Sequence, residues 1–226
     1  MQNKIFQIAI DGPVGAGKST VAKLVADKLG IVYVDTGAMY RAVGLYMKTQ
    51  GMDWHDEGGV SELLEKVEIS LEPPNGEKKD GRNVTVLLNG VDVSWEIRKA
   101  DMGEGASVVS QYKAVREKLV SLQREMAKGM SVIMEGRDIG TKVLPNAKLK
   151  IYLDAKPIER AKRKKDQMAK GGEEITLEEA EKDVDTRDNR EMNREIDPLR
   201  PADNAWIFDT TGLPVEQVVS RIAEKV

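Results

Sequence analysis

Cysteine is absent from the 226 residues, and histidine occurs once, as His55 in the polar stretch DWHDEGG. The first absence excludes disulfides, thiolate nucleophiles and cysteine-based metal sites. Taken together, the two absences exclude zinc catalysis and the usual nucleophile–histidine arrangements. A lone loop histidine reads as a surface residue. Aromatics are scarce, with two Phe, three Trp and five Tyr, so the core has to be chiefly aliphatic. No apolar run approaches the roughly 18 residues of a membrane span, and MQNKIFQIAID carries no cleavage-type signal. An excess of positive charge is missing too. With 35 Lys and Arg against 38 Asp and Glu, the net charge is −3, and no global field draws the chain to nucleic acid or a membrane. These features imply a cytoplasmic protein that meets any polyanion through local clusters; a monomer is expected, though composition does not fix the oligomeric state. Hydrophobic residues at 40% and charged residues at 32% suit one core under a heavily solvated surface.

Five short, nearly continuous apolar runs are present: IFQIAID (5–11), IVYVD (31–35), SVIME (131–135), LKIYLD (149–154) and AWIFD (205–209). Continuous rather than alternating apolarity suits strands buried on both faces of a parallel sheet. Helical patterns alternate with them: KSTVAKLVADKLG with Gly30 as its stop, about 37–50 with Thr36 as N-cap, 105–128, 156–170, 176–194 and 214–225. The alternation predicts an open α/β sheet. One segment departs from it. Residues 67–98 show β-branched alternation punctuated by PPNG, KDG and NG turn signals, which predicts a small antiparallel insert. GGEEITLEEAEKD reads as a charge-rich, mobile connection.

Each apolar run ends on a carboxylate, namely Asp11, Asp35, Glu135, Asp154 and Asp209. Ligands of open α/β sheets bind beyond the carboxyl ends of the strands. For Asp154 and Asp209 a plain strand end suffices. Asp35 and Glu135 precede informative motifs and are candidates for a second shell around a metal.

GPVGAGKST, Gly12 to Thr20, fits G-x-x-x-x-G-K-[ST] between an expected strand and an expected helix. In such a loop the backbone N–H groups of Gly12, Pro13's neighbours Val14, Gly15, Ala16 and Gly17, and then Lys18, Ser19 and Thr20 turn inward around phosphate oxygens. Lys18 reaches the β- and γ-phosphates, and the Ser19 hydroxyl ligates Mg²⁺. The expected ligand is a nucleoside triphosphate, ATP. A GTPase is the first rival, since DTTG at 209–212 resembles D-x-x-G. Only 14 residues follow Gly212, however, and N-K-x-D does not occur. A small-molecule kinase is the economical reading. Its runner-up acceptors are UMP or a non-nucleotide metabolite, and its rival in kind is a nucleotide-binding switch without phosphotransfer. The missing base is explained by a phosphate-monoester acceptor, whose second pKa of about 6 leaves it ionised at neutral pH. What remains is to hold two repelling anions in line, a task for bidentate, permanently charged arginines.

Arginines do gather on one stripe. In RDNREMNR (187–194), Arg187, Arg190 and Arg194 fall at helical spacing beside Glu191, within about a quarter-turn. A solvated, salt-bridged face is the bland explanation, and Arg116 in AVREKL likewise reads alone as a solvated helix residue.

IDGPVGAGKST, VDTGAMYR, EGRDIGT, KIYLDA and RDNREMNREIDPLRPADNAWIFDTT occur in this order. Together they resemble the bacterial cytidylate (CMP/dCMP) kinase family from about residue 5 to 225. The P-loop is generic, whereas the DTGAMYR and GRDIGT pair is specific. The resemblance implies a P-loop kinase core with a five-stranded parallel sheet (about 1–35, 105–155 and 195–226). It also implies a nucleoside-monophosphate region with the β insert (about 36–104) and a mobile helical lid (about 156–194). Ser107, Arg116 and Asp138 would read cytosine. Arg41, Arg137 and Arg194 would grip the acceptor phosphate, with Lys18, Arg137 and Arg194 as the catalytic set. Arg187 and Glu191 would hold the sugar, Thr36 would stand near the nucleotide, and Arg160 and Arg163 of the lid would reach the ATP phosphates. The chain departs from the family at two positions, with Glu191 and Glu135 where Asp is usual.

Overall fold

The computed structural model describes residues 5–74, 80–99 and 101–226. The chain forms two compact units, Met1–Val34 with Leu122–Val226, and Asp35–Ser121.

The first unit is built on a five-stranded sheet in the order β2 (Val32–Asp35), β6 (Val132–Gly136), β1 (Gln7–Asp11), β7 (Leu149–Asp154) and β8 (Trp206–Asp209). All five apolar runs are therefore strands, and β1 lies at the centre, parallel to both neighbours. Ile8 stands opposite Ile133 on one side and Leu149 on the other, and β7 pairs in parallel with β8. Ile8 and Ile10 are wholly buried among Val21, Val25, Ile133, Ile151, Phe208, Val218 and Ile222. Two of the helices that cover the sheet, α1 (Lys18–Leu29) and α8 (Val215–Ala223), supply this packing. Each such side chain stabilises the fold by about 1.5–3 kcal/mol through burial alone. Helix α1 ends at Gly30 in the left-handed region, φ 64°, the stop expected of a glycine there. Helices α6 (Pro157–Lys170) and α7 (Leu177–Asn193) complete the unit. The charged GGEEITLEE stretch becomes helix from Leu177, because Thr176 and Glu179 close a reciprocal capping box.

The second unit opens on α2 (Thr36–Thr49) and α3 (Glu57–Leu64). An antiparallel sheet follows, with β3 (Ile69–Glu72), β4 (Thr85–Leu88) and β5 (Val91–Asp92) in that order. The insert expected from sequence is thus present. Asn89 and Gly90, both at positive φ (49° and 79°), make the tight β4–β5 turn, as the NG signal implies. The PPNG and KDG signals fall partly on residues 75–79 and so outside the described residues. A 3-10 turn over Glu96–Arg98 leads to α4 (Met102–Val109) and α5 (Lys113–Met126), whose last residues, from Leu122, belong to the first unit.

Three expectations need correction. The helix foreseen over 105–128 is two helices, broken at 110–112, where the Ser110 hydroxyl donates to the Ser107 carbonyl at 2.9 Å. Thr36 is not the N-cap of α2. That position belongs to Asp35, whose Oδ1 accepts from Ala38 N at 3.0 Å while Thr36 is already helical. Helix α3 was hidden by Gly58 and Gly59, and its N-cap Asp56 accepts from Gly59 N at 3.0 Å. Among the described residues, no helix is long and apolar enough to cross a membrane.

Candidate active site

The P-loop joins β1 to α1, and backbone geometry demands its glycines. Gly12 has φ 149°, and a Cβ there would stand 2.0 Å from the Leu153 carbonyl oxygen of β7. Gly15 has φ 75°, and its Cβ would stand 2.5 Å from the Arg160 carbonyl oxygen of α6. No other residue fits either place. Lys18, on the first turn of α1, is nearly buried and donates to the Pro13 carbonyl at 2.7 Å, so its ammonium folds back over the loop. Ser19 and Thr20 are exposed at the start of α1, where free N–H groups and the helix dipole favour an anion.

Asp11, the last residue of β1, had no role in the sequence reading beyond ending a strand. It accepts the N–H groups of Ile139 and Gly140, both at 2.7 Å. The turn after β6 is thereby held against the P-loop strand, and with it Arg137 and Asp138. Burial pushes the Asp11 carboxyl up to about 7 despite those two N–H groups. Arg137 donates to Glu191 of α7 through Nε and to the Gly136 carbonyl at 3.2 Å. Burial works against the Arg137 charge, but Glu191, Glu135 and Asp188 outweigh it and raise its pKa above the ordinary value. Burial also pushes Glu191 up, yet Arg137 and Arg187 overcome this and hold its carboxyl below the usual range. Glu135 accepts from the Tyr33 hydroxyl at 3.0 Å.

Lys18 belongs to the same electrostatic cluster. Burial first, and Arg137 second, lower its pKa to about 7, against the pull of Glu135, Glu191 and Asp11. The cluster is therefore a buried group of opposed charges around the P-loop lysine, the kind of perturbed site that functional centres favour. RDNREMNR is not a solvated face. Arg187, Asp188, Glu191 and Arg194 are each 7% exposed or less. Arg194 ends α7, donates from Nε to the Asp197 carbonyl at 2.7 Å and lies 3.7 Å from the Asp138 carboxylate.

Arg160 and Arg163 of α6 also meet the P-loop. Arg160 donates to the Val14 carbonyl at 3.0 Å, to the Ala155 carbonyl at 3.0 Å and to Asp188. Arg163 donates to the Ala16 carbonyl at 3.3 Å and to Thr210 through the hydroxyl and the carbonyl, each at 3.0 Å. DTTG is accordingly a strand end and a turn, with Asp209 accepting from Thr211 N at 2.8 Å.

The second unit carries the other residues singled out from sequence. Thr36 is buried on the first turn of α2, and Arg41 lies half-buried one turn further along. Asp35 caps the helix and its Oδ2 lies 3.9 Å from Arg98. Arg116 is only 2% exposed, with Nη1 donating to the Ser110 carbonyl at 3.3 Å and to the Tyr40 hydroxyl at 3.5 Å. The solvated-face reading of Arg116 is thereby overturned. Ser107, on α4, is 3% exposed, and among the described residues its Oγ has no hydrogen-bond partner. A buried hydroxyl in that condition is rare in a settled core.

A sequence profile described as cytidylate kinase matches residues 8–226. The chain belongs to the cytidylate kinase family. A cytidylate kinase of Carboxydothermus hydrogenoformans is 44% identical over 222 residues, covering 97% of this chain and 96% of its own. One from Lactobacillus johnsonii is 46% identical over 225 residues, covering 98% and 94%. Among solved structures, an uncharacterized protein from Eubacterium ventriosum superposes with a TM-score of 0.52 at 12% identity, covering 97% of this chain and 96% of its own. That likeness concerns the fold alone. As a cytidylate kinase family member the chain is a phosphotransferase.

Two residues of consequence were missed in the sequence. Asp11 was visible only as one of five strand-terminal acids. Asp188 sits inside RDNREMNR, one position from Arg187, and its only signal was its place three residues before Glu191 on the same helix.

Proposed function

We propose that the chain transfers the γ-phosphoryl group of ATP to the phosphate of CMP and dCMP, giving CDP or dCDP and ADP. The observation that carries this reading is the buried cluster in which the P-loop Lys18 shares its surroundings with Arg137 and Glu191. In this reading Lys18 serves the donor phosphates and Arg137 the acceptor phosphate, so a single charge network supports both.

The acceptor arrives ionised, so no side chain has to remove a proton. One of its oxygens attacks the γ-phosphorus in line as the bond from that phosphorus to the β–γ bridging oxygen breaks, and the electron pair leaves with ADP. Catalysis then consists of positioning and charge stabilisation. Lys18 and the N–H groups from Gly15 to Thr20 take the donor phosphates, while the Val14 N–H is given to Asp188. Arg137 and Arg194, with Arg41, take the acceptor phosphate. Ser107, Arg116 and Asp138 read cytosine, with a carboxylate suited to accept from the exocyclic amine. Arg187 and Glu191 hold the sugar, and Thr36 stands near the nucleotide. Residues about 156–194 serve as the lid.

Mg²⁺ bound with the donor supplies further neutralisation of phosphate charge. Among the described residues there is no group of three or more metal-ligating side chains, which fits an ion carried mainly by phosphates and waters. Ser19 would hold it with its hydroxyl, and Glu135 and Asp35 would act only in an outer shell.

A coupled assay of ADP release with CMP, dCMP, UMP, AMP and shikimate tests the reading. CMP and dCMP should give the highest kcat/KM. AMP or shikimate ahead of CMP would overturn it, and ATP binding without any transfer would favour a nucleotide-binding switch.

A further inference from the structure

The P-loop is gripped from outside at one residue. The Val14 N–H donates to Asp188 Oδ1 of α7 at 3.2 Å, and the Val14 carbonyl accepts from Arg160 Nη1 of α6 at 3.0 Å. The same Nη1 donates to Asp188 Oδ2, closing a ring of three partners. All three are buried, at 6% exposure for Val14, 6% for Arg160 and 7% for Asp188. Val14 stands between Pro13 and Gly15, and the glycines at 12 and 15 both hold positive φ. Glycine contributes little restraint of its own, so a loop built on it takes its shape from its contacts. Arg160 is fixed further by the Ala155 carbonyl, and its own backbone carbonyl faces Gly15.

We propose that Asp188 and Arg160 are positioning residues, which set the P-loop for the donor's phosphates by holding both polar groups of Val14. The idea rests on the P-loop binding ATP, and not on the identity of the acceptor. Asp188 lies on the helix that carries Arg187 and Glu191, so the clamp also fixes the P-loop to that helix. Neither residue touches the reacting atoms in this assignment; each acts through the loop. The chemistry of the ring is specific. An Asn at 188 can still accept from Val14, but its amide then turns a donor toward the Arg160 guanidinium. A Lys at 160 keeps the charge but presents one ammonium in place of a planar fork, and it cannot serve Val14, Ala155 and Asp188 together.

The test is calorimetric titration of ATP with Mg²⁺ into the full chain and into Asp188→Asn, Arg160→Lys and the double variant, with steady-state KM values and melting midpoints alongside. Each single variant should weaken ATP binding about tenfold, the usual cost of losing a charge-assisted hydrogen bond. The double variant should be no more than about twofold worse than the weaker single, because one ring is broken once. KM for ATP should rise with the dissociation constant. ATP affinities within about twofold of the parent overturn the proposal, even if the melting midpoint falls, since a merely structural role moves only the midpoint. Losses that multiply in the double variant overturn it too. If Asp188→Asn is unfolded at the assay temperature, Arg160→Lys decides. A parent chain that binds ATP but transfers nothing to CMP overturns the acceptor assignment, and the ATP affinities still decide the clamp.

Discussion

Glu191 accepts a hydrogen bond from Arg137 Nε although 54 positions separate them in the chain. The Glu191 side chain is 6% exposed and that of Arg137 is 22% exposed, so the pair is largely withdrawn from water. Removing one partner strands a charge. Glu191→Ala should therefore lose about 3 kcal/mol of stability, measured by urea unfolding. Glu191→Asp restores the charge one methylene short. It should hold most of the stability but shift the CMP-to-dCMP ratio of kcat/KM by about threefold or more, as a changed sugar contact would. An unchanged ratio removes Glu191 from the sugar and leaves it as the counter-charge of Arg137 alone.

Lys18 gives a pH signature with two opposite signs. Its pKa is lowered to about 7 by burial and by Arg137, against an ordinary value of about 10.4. Phosphates bind the ammonium, which is present below 7 and lost as pH rises through 7. ATP should accordingly bind about tenfold more weakly at pH 8 than at pH 6. Folding stability moves the other way. Between 7 and the unfolded value the unfolded chain holds the extra proton, so this residue's contribution to stability rises with pH. Lys18→Met should flatten both trends. Titrations and melts across pH 6–9 would show it, and an ATP affinity that is flat with pH in the parent chain would contradict it.

Arg194→Ala should lower kcat by about a hundredfold, with a smaller change in the acceptor's KM, because the charge it meets is greatest during transfer. The melting midpoint should fall as well, since Arg194 ties the end of α7 to the Asp197 carbonyl at 2.7 Å. Arg194→Lys keeps the charge without the fork and should recover only part of kcat. A change confined to KM would take Arg194 out of the transfer step.

Ser107→Ala separates stability from function. The buried Oγ has no partner among the described residues, so its removal forfeits no hydrogen bond and should change stability by less than about 0.5 kcal/mol. If the hydroxyl is kept for cytosine, the KM for CMP should rise about tenfold with kcat little changed. Unfolding curves run beside steady-state kinetics would decide the matter. A destabilised variant with an unaltered KM would make Ser107 a packing residue.

Much of this protein was legible in the order of its residues. The five apolar runs were strands because a parallel strand buried on both faces has to be apolar throughout, and that condition is local. Gly12, Gly17 and Lys18 were legible for a similar reason, since a loop that turns N–H groups inward needs glycine and a following lysine wherever it occurs. The NG turn of the insert was equally local. Other features depended on neighbours distant in sequence. The cap of α2 is a local exception, since Asp35 rather than Thr36 takes it by accepting from Ala38 N three residues on. Arg116 reads as solvated on its own helix, and only the packing of that unit buries it to 2% exposure. RDNREMNR is ambiguous in the same way, because a helix face bearing mixed charges looks alike in water and in a buried site. Tertiary structure alone joined Asp188 to Val14, 174 positions away, and Asp11 to Gly140, 129 positions away. Sequence determines what each segment can form by itself, through period, turn chemistry and backbone freedom. Which charges come to share a buried space is decided by how the strands order themselves, and no local pattern carries that information.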